Sequence, residues 1–185
     1  MKLYFIIFLT IIFAVKVNAQ EESQTVEENK IIIDDESGKP MLIGYTTREA
    51  FSDSSFSWWF DSEYKNYDVD YDAIKPLFED STLMENMDIT IIMGSWCSDS
   101  RREVPRFLKI LDVFDFPEEK YTLYNVDRDK HTEADEIDDL NIELVPTFIF
   151  YKDDVEIGRI TEAPIESLEK DMIKILTGKM DLENN

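Results

Sequence analysis

The sequence predicts an α/β fold built on a mixed β-sheet, and two patterns in the second half of the chain carry this prediction. Residues 88–94 form a short apolar run that is typical of a buried strand. Residues 98–116 follow with apolar side chains at helical spacing: Val104, Phe107, Leu108, Leu111 and Phe114. From Ile89 onward the predicted order is β-α-β-α-β-β-α, which combines parallel and antiparallel strands in one sheet.

The N-terminal segment, residues 1–19, has the pattern of a secretory signal peptide. Lys2 precedes an apolar stretch over residues 3–15, and Val-Asn-Ala at 17–19 supplies the residues of a cleavage site before Gln20. The stretch is shorter than the roughly 20 residues that a spanning helix needs. We therefore expect an exported protein, periplasmic or secreted, that is not membrane-embedded after cleavage. A retained anchor is the alternative.

Charge and cysteine content exclude several classes of function. The chain has 185 residues and a formal net charge of −22. Such an excess of acid repels phosphate backbones, so we expect no nucleic-acid partner, and basic or neutral partners are favoured. The chain has one cysteine, Cys97. A structural disulfide within the chain is therefore excluded, although an oxidising compartment would permit one.

The first half of the chain predicts a leader, a hairpin and helices. Residues 20–30 are polar and acidic and are interpreted as a flexible leader. Two β-type runs, 31–33 and 41–46, flank turn residues at 34–40 and predict a hairpin. Residues 48–67 are dense in aromatic side chains at helical spacing, and residues 70–79 predict a short helix that Pro76 weakens.

The second half continues the α/β order. The predicted elements after the helix at 98–116 are a strand at 121–127, a short acidic helix or loop at 133–140, an antiparallel strand pair at 146–151 and 155–160, and a closing amphipathic helix at 165–176.

Cys97 is the main candidate for chemistry. It follows a predicted strand and begins a predicted helix, so its sulfur would lie near free backbone N–H groups and the positive end of the helix dipole. Both favour the nucleophilic thiolate. Ser100 would lie on the same face of the first turn, and Arg101 and Arg102 add positive charge that Asp99 opposes. The alternative is an inert buried cysteine.

The segments around Cys97 resemble the thioredoxin superfamily, in which a Trp-Cys-x-x-Cys site follows the central strand. Trp96 and Cys97 match the tryptophan and the nucleophilic cysteine of that site, and Pro105 stands where the family kinks the following helix. Val-Pro-Thr at 145–147, leading into a strand, resembles the cis-proline segment. The resemblance covers about residues 88–176 and implies a thioredoxin-like fold.

Two further segments indicate a narrower group within the superfamily. The stretches Gly-Tyr-Thr-Thr-Arg-Glu-Ala at 44–50 and Arg-Glu-Val-Pro-Arg-Phe at 102–107 look like exported thioredoxin-like proteins of Bacteroidetes-type bacteria. The resulting domain prediction is a signal peptide at 1–19, a leader at 20–30, a hairpin and helical extension at 31–80, a thioredoxin-like domain at 81–178, and a tail at 179–185.

The resemblance also implies roles for the site residues. Cys97 would be the nucleophile, with Ser100 beside it as the second catalytic residue. The other implied residues are Trp96, Val145, Pro146 and Thr147 for substrate binding. Ser98, Asp99 and Arg101 are expected to tune the thiolate because of their charge or their position at the start of the predicted helix.

Two departures from the family pattern limit the chemistry. Ser100 replaces the resolving cysteine, and a hydroxyl cannot attack a mixed disulfide. Ile91 stands where thioredoxins carry a buried acid, six residues before the nucleophile. The self-contained dithiol cycle is therefore excluded.

The sequence predicts monothiol thiol–disulfide exchange, in which an external thiol resolves a mixed disulfide at Cys97. The partners would be protein thiols or disulfides and a low-molecular-weight thiol or dithiol reductant, and no cofactor or metal is expected. The direction of exchange and a dimer linked through Cys97 stay open. The alternative from another class is a redox-inert module of the same fold that binds protein clients.

Other candidates are weaker. His131, the only histidine, is interpreted as a surface-loop residue. The acidic run at 133–139 lacks the spacing of a calcium loop and is interpreted as a solvated face. Trp58 and Trp59 suit a binding groove, but aromatic residues at helical spacing more often belong to the core.

Overall fold

The computed structural model describes residues 27–133 and 137–179. The predicted signal peptide and most of the predicted leader and tail lie outside these residues. The described part contains one six-stranded sheet, four α-helices and several short 3-10 turns.

The predicted N-terminal hairpin is confirmed. Strand β1 (Lys30–Ile33) pairs antiparallel with β2 (Pro40–Thr46). The turn between them has a left-handed Gly38, with φ of 67°, and the amide of Gly38 donates to the Asp34 carbonyl. Strand β2 also pairs antiparallel with β4 (Tyr121–Asn125), so the hairpin belongs to the main sheet.

The sheet is mixed, as predicted. Its central strand β3 (Met87–Met93) runs parallel to β4 and antiparallel to β5 (Thr147–Lys152), and β5 pairs antiparallel with β6 (Val155–Thr161). The strand order is β1-β2-β4-β3-β5-β6. The single parallel pair requires a crossover, and the helix α3 (Ser98–Val113) provides it.

The helices form where the apolar periodicity predicts them, with shifted boundaries. The aromatic segment divides into a 3-10 turn at Arg48–Ser52 and helix α1 (Ser57–Asn66). Helix α2 (Tyr71–Glu79) tolerates Pro76 and begins at the cap residue Asp70, whose carboxylate accepts from the Ala73 amide at 3.0 Å.

The last predicted helix begins later than its apolar pattern does. Helix α4 spans Leu168–Leu176, and the Ser167 hydroxyl accepts from the Lys170 amide at its N-terminus. The buried carboxylate of Asp171 accepts from the amides of Ile165 and Glu166, which holds these two residues outside the helix. The acidic segment after His131 contains a 3-10 turn at Asp138–Leu140, and residues 134–136 are outside the described part.

Two apolar clusters lie on the two faces of the sheet. Successive strand residues point to opposite faces, so Ile91 enters the larger cluster and Ile92 the smaller one. All four helices contribute to the larger cluster, through Trp59, Ile74, Phe107 and Met172 among others. The smaller cluster contains Ile92, Val126, Ile137, Val145 and Ile149, and both Trp96 and Cys97 pack against it.

The mixed sheet, the helix that follows its central strand and the proline segment that leads into an antiparallel strand make the fold thioredoxin-like, as the sequence predicts.

Candidate functional site

The candidate site is built on the turn between β3 and α3. Cys97 is the N-cap residue of α3, with the extended φ and ψ of −82° and 132° that such a position requires. Its amide donates to the Gly94 carbonyl at 2.9 Å, and its carbonyl accepts from the Arg101 amide. The buried Ser95 hydroxyl accepts from the Leu42 amide at 2.8 Å, which fastens the turn to β2. The cysteine therefore lies on a rigid connection.

The sulfur of Cys97 faces the proline segment. Cys97 is partly exposed, and its Sγ lies 3.3 Å from the Val145 carbonyl oxygen, to which the thiol donates. The Val145–Pro146 peptide bond is cis. At the same time the sulfur stands at the N-terminus of a 16-residue helix, where unpaired amides and the helix dipole favour an anion. The structure thus brings the turn that carries Cys97 into contact with the segment at Val145 and Pro146.

The predicted substrate-binding residues of this segment have buried side chains. Val145 and Thr147 are 5% and 2% exposed, and Pro146 is also buried. The Thr147 hydroxyl donates to the Leu144 carbonyl at 2.8 Å, and the Pro146 carbonyl accepts from Glu162. The exposed residue next to this segment is Leu144, which is 44% exposed. No pattern in the sequence singles out Leu144.

Ser100 is fully buried and serves the turn itself. Its Oγ accepts a hydrogen bond from the Gly94 amide at 3.2 Å. Among the described residues no hydrogen bond joins Ser100 to the sulfur of Cys97. The interaction of its hydroxyl with the thiolate stays a prediction.

The charged residues of the first helical turn separate into two groups. Asp99 forms an ion pair with Arg102 at 2.8 Å, and Arg102 also contacts the buried Glu103. Arg101 has no carboxylate within 4 Å in the described part of the chain. Its Nε donates to the Ser95 carbonyl at 2.5 Å, and its guanidinium lies 5.8 Å from the Trp59 ring centroid.

Because Arg102 is paired with Asp99, Arg101 is the cation of this turn that interacts electrostatically with Cys97. Partial burial lowers the pKa of Arg101, and the negative charge of a Cys97 thiolate opposes that shift. Ser98, the remaining predicted tuning residue, is exposed at the first position of α3.

Trp96 is held by groups that the sequence did not single out. Its indole N–H donates to the Val126 carbonyl at 2.8 Å, and the Arg128 guanidinium lies 5.0 Å from its ring centroid. Arg128 in turn pairs with Asp34 of the hairpin turn. The two charged residues are 94 positions apart in sequence, so no local pattern reveals their pairing.

Within the described part of the chain, the remaining candidate residues from the sequence form no hydrogen bond or ion pair with Cys97. His131 is exposed, with Nδ1 3.7 Å from Asp138. Trp59 is 4% exposed and belongs to the core, whereas Trp58 is 66% exposed. Ile91, at the position where thioredoxins carry a buried acid, is fully buried in the larger apolar cluster.

Within residues 27–133 and 137–179, no group of three or more His, Cys, Asp or Glu residues could hold a metal ion. No helix there has the length and apolar character to cross a membrane.

Comparison with solved structures finds thioredoxins. The chain is similar to oxidised thioredoxin O2 from Arabidopsis thaliana, with a TM-score of 0.37 and 24% identity, over 54% of this chain and 87% of that one. It is also similar to thioredoxins of Fasciola hepatica, at 0.37 and 20% over 57% and 89%, and of Plasmodium falciparum, at 0.37 and 23% over 52% and 89%. At these values the likenesses carry no information about activity. No family model and no curated protein matches the chain.

Proposed function

We propose that this chain is an exported protein that performs monothiol thiol–disulfide exchange through Cys97. The observation that carries the proposal is the position of its sulfur, partly exposed at the N-terminus of α3 and 3.3 Å from the carbonyl that precedes Pro146. A nucleophile that approaches a peptide disulfide needs this combination of an accessible thiolate and an adjacent backbone to align the client.

The exchange proceeds in two steps, and each forms one disulfide bond and breaks another. The Cys97 thiolate attacks one sulfur of a client disulfide, so a bond forms between Cys97 and that sulfur while the other client sulfur leaves as a thiolate. An external thiolate then attacks the mixed disulfide and releases Cys97 as a thiolate, and the client sulfur remains bonded to the external one. Ser100 takes no part in the second step because its oxygen forms no disulfide.

The helix N-terminus and Arg101 support the first step. Both place positive charge near the sulfur, while Asp99, the nearest acid in sequence, is paired with Arg102. Leu144, which is exposed at the start of the proline segment, would give a client an apolar contact. Protein disulfides and a small thiol reductant are therefore the proposed partners.

The test uses the fact that the chain has one thiol. The folded chain is mixed with a cysteine-containing peptide disulfide at neutral pH, and the mixed disulfide is followed by intact mass. We expect the folded chain to react several-fold faster than the same chain in denaturant, and Cys97→Ser to form no adduct. Equal or slower reaction of the folded chain contradicts the proposal and favours the redox-inert binding module.

A matched variant tests the monothiol mechanism. Ser100→Cys places a second thiol one helical turn from Cys97, within reach for a disulfide. In wild type the mixed disulfide should persist until a thiol is added, whereas in Ser100→Cys it should disappear as an intramolecular disulfide forms and the peptide thiol leaves. Spontaneous loss of the adduct from wild type at the same rate would contradict a mechanism that depends on an external thiol.

A further inference from the structure

An ion pair between the buried Asp34 and the partly exposed Arg128 connects the N-terminal hairpin to the loop after β4. The Arg128 Nε lies 2.9 Å from Asp34 Oδ1, and its Nη2 lies 2.8 Å from Oδ2. Asp34 is 3% exposed, and it also accepts from the Ser37 hydroxyl. The guanidinium is thus fixed in orientation by a bidentate contact with a residue of the hairpin turn.

The same guanidinium contacts Trp96, the residue before the reactive cysteine. Its Cζ lies 5.0 Å from the ring centroid, within the range of a cation–π interaction. The indole is also bound to the Val126 carbonyl and lies against Gly94, where an added Cβ would come within 2.6 Å of the ring. Trp96 is therefore confined by a cation, a hydrogen bond and a close backbone approach.

We propose that Asp34 and Arg128 are positioning residues through which the hairpin fixes Trp96 and thereby controls access to Cys97. Only arginine can both form the bidentate contact and present a planar cation to the ring. Trp96 and Cys97 are adjacent and both pack against the smaller cluster, so we expect displacement of the indole to increase the exposure of the partly exposed sulfur. The consequence for exchange rests on the proposed function, but the position of Trp96 does not.

The test measures the accessibility of Trp96 directly. Trp58→Phe removes the exposed indole of α1, so acrylamide quenching then reports Trp96 and the buried Trp59. In this background we expect Arg128→Lys and Asp34→Asn to increase quenching in the folded state. The fraction folded is checked by circular dichroism under the same conditions.

Arg48→Lys is the matched control. Arg48 also forms a bidentate ion pair, with Asp112 at 2.8 Å, and also lies over an aromatic ring, that of Tyr121. Its replacement should reduce stability without changing the quenching of Trp96. If Arg128→Lys and Arg48→Lys change quenching equally, the pair with Asp34 has only a structural role and the proposal is overturned.

Gly94→Ala provides a second route to the same result. Its added Cβ displaces the indole while the Asp34–Arg128 pair remains intact. Both this variant and Arg128→Lys should raise the rate of Cys97 alkylation by iodoacetamide several-fold. Increased quenching without a faster alkylation would overturn the control of access. Failure of wild type to exchange with disulfides would instead remove the proposed function and leave the Trp96 readout decisive.

Discussion

At the residue scale, Ser100 shows how this site differs from a dithiol site. Its side chain is fully buried and accepts from the Gly94 amide, so the hydroxyl stabilises the strand-to-helix turn that presents Cys97. The position where a dithiol site has its second cysteine thus has a structural role in this chain.

Ser100→Ala should destabilise the fold. The substitution leaves the buried Gly94 amide without its partner, which costs about 1–3 kcal/mol. Urea unfolding measures the loss. Ser98→Ala, at an exposed position two residues earlier, is the control and should change stability by about 0.5 kcal/mol or less. Equal effects of the two substitutions would contradict the role of the hydroxyl in the turn.

Arg101 is the second residue with a specific expected effect. Arg101→Gln removes the cation that the fold leaves beside Cys97, so the thiolate is favoured less and its alkylation at neutral pH should slow. Arg101→Lys should restore part of the rate because it keeps the charge. A rate unchanged in Arg101→Gln would show that the helix N-terminus alone activates the sulfur.

At the element scale, the two N-terminal elements reach the site by different contacts. The hairpin contacts Trp96 through Arg128, and α1 places Trp59 against the Arg101 guanidinium. The aromatic segment that precedes the site in sequence is therefore part of its surroundings, and the exposed Trp58 is not required for this packing.

The hairpin contact should make stability depend on acid pH. Arg128, and then Ser37, hold the pKa of Asp34 well below its ordinary value of 3.8. A depressed carboxyl pKa in the folded state stabilises the fold above the unfolded value, and this contribution declines as the pH falls below about 4.

Thermal unfolding across pH tests this dependence. The difference in Tm between wild type and Asp34→Asn should be largest near neutral pH and should narrow below about pH 4. Asp53→Asn, at a carboxyl with a lowered pKa in an exposed turn outside this pair, is the comparison. If the difference in Tm between wild type and Asp34→Asn stays constant with pH, the ionised carboxyl does not contribute to stability in this way.

At the scale of the whole molecule, the net charge of −22 should select among substrates. The summed field attracts cations and repels anions, and salt screens it over about 10 Å at 0.1 M. A cationic model disulfide should therefore react with Cys97 faster than an anionic one, and added salt should bring the two rates together. A ratio that does not change with salt would show that local contacts alone set the preference.

The sequence predicted the type of each helix and strand better than it predicted the residues at which they begin and end. The strands and helices follow from apolar spacing, which is a local property, and their types are confirmed from the hairpin to α4. Their boundaries shift where distant or specific contacts intervene, as at Asp171, which holds Ile165 and Glu166 outside the helix. Pro76 lies within α2, although it cannot donate a helical hydrogen bond. The burial of the Ile74 and Leu77 side chains stabilises the helix enough to offset that loss.

The sequence alone determined that any chemistry at Cys97 must use one sulfur, because no second cysteine exists anywhere in the chain. It also placed that sulfur at a strand-to-helix turn. Only the tertiary structure decided what surrounds it: the Val145 carbonyl, the guanidinium of Arg101 packed on Trp59, and Trp96 confined by Arg128 and Asp34. These contacts join residues far apart in the chain, and they depend on side-chain directions that only the packed sheet and helices fix.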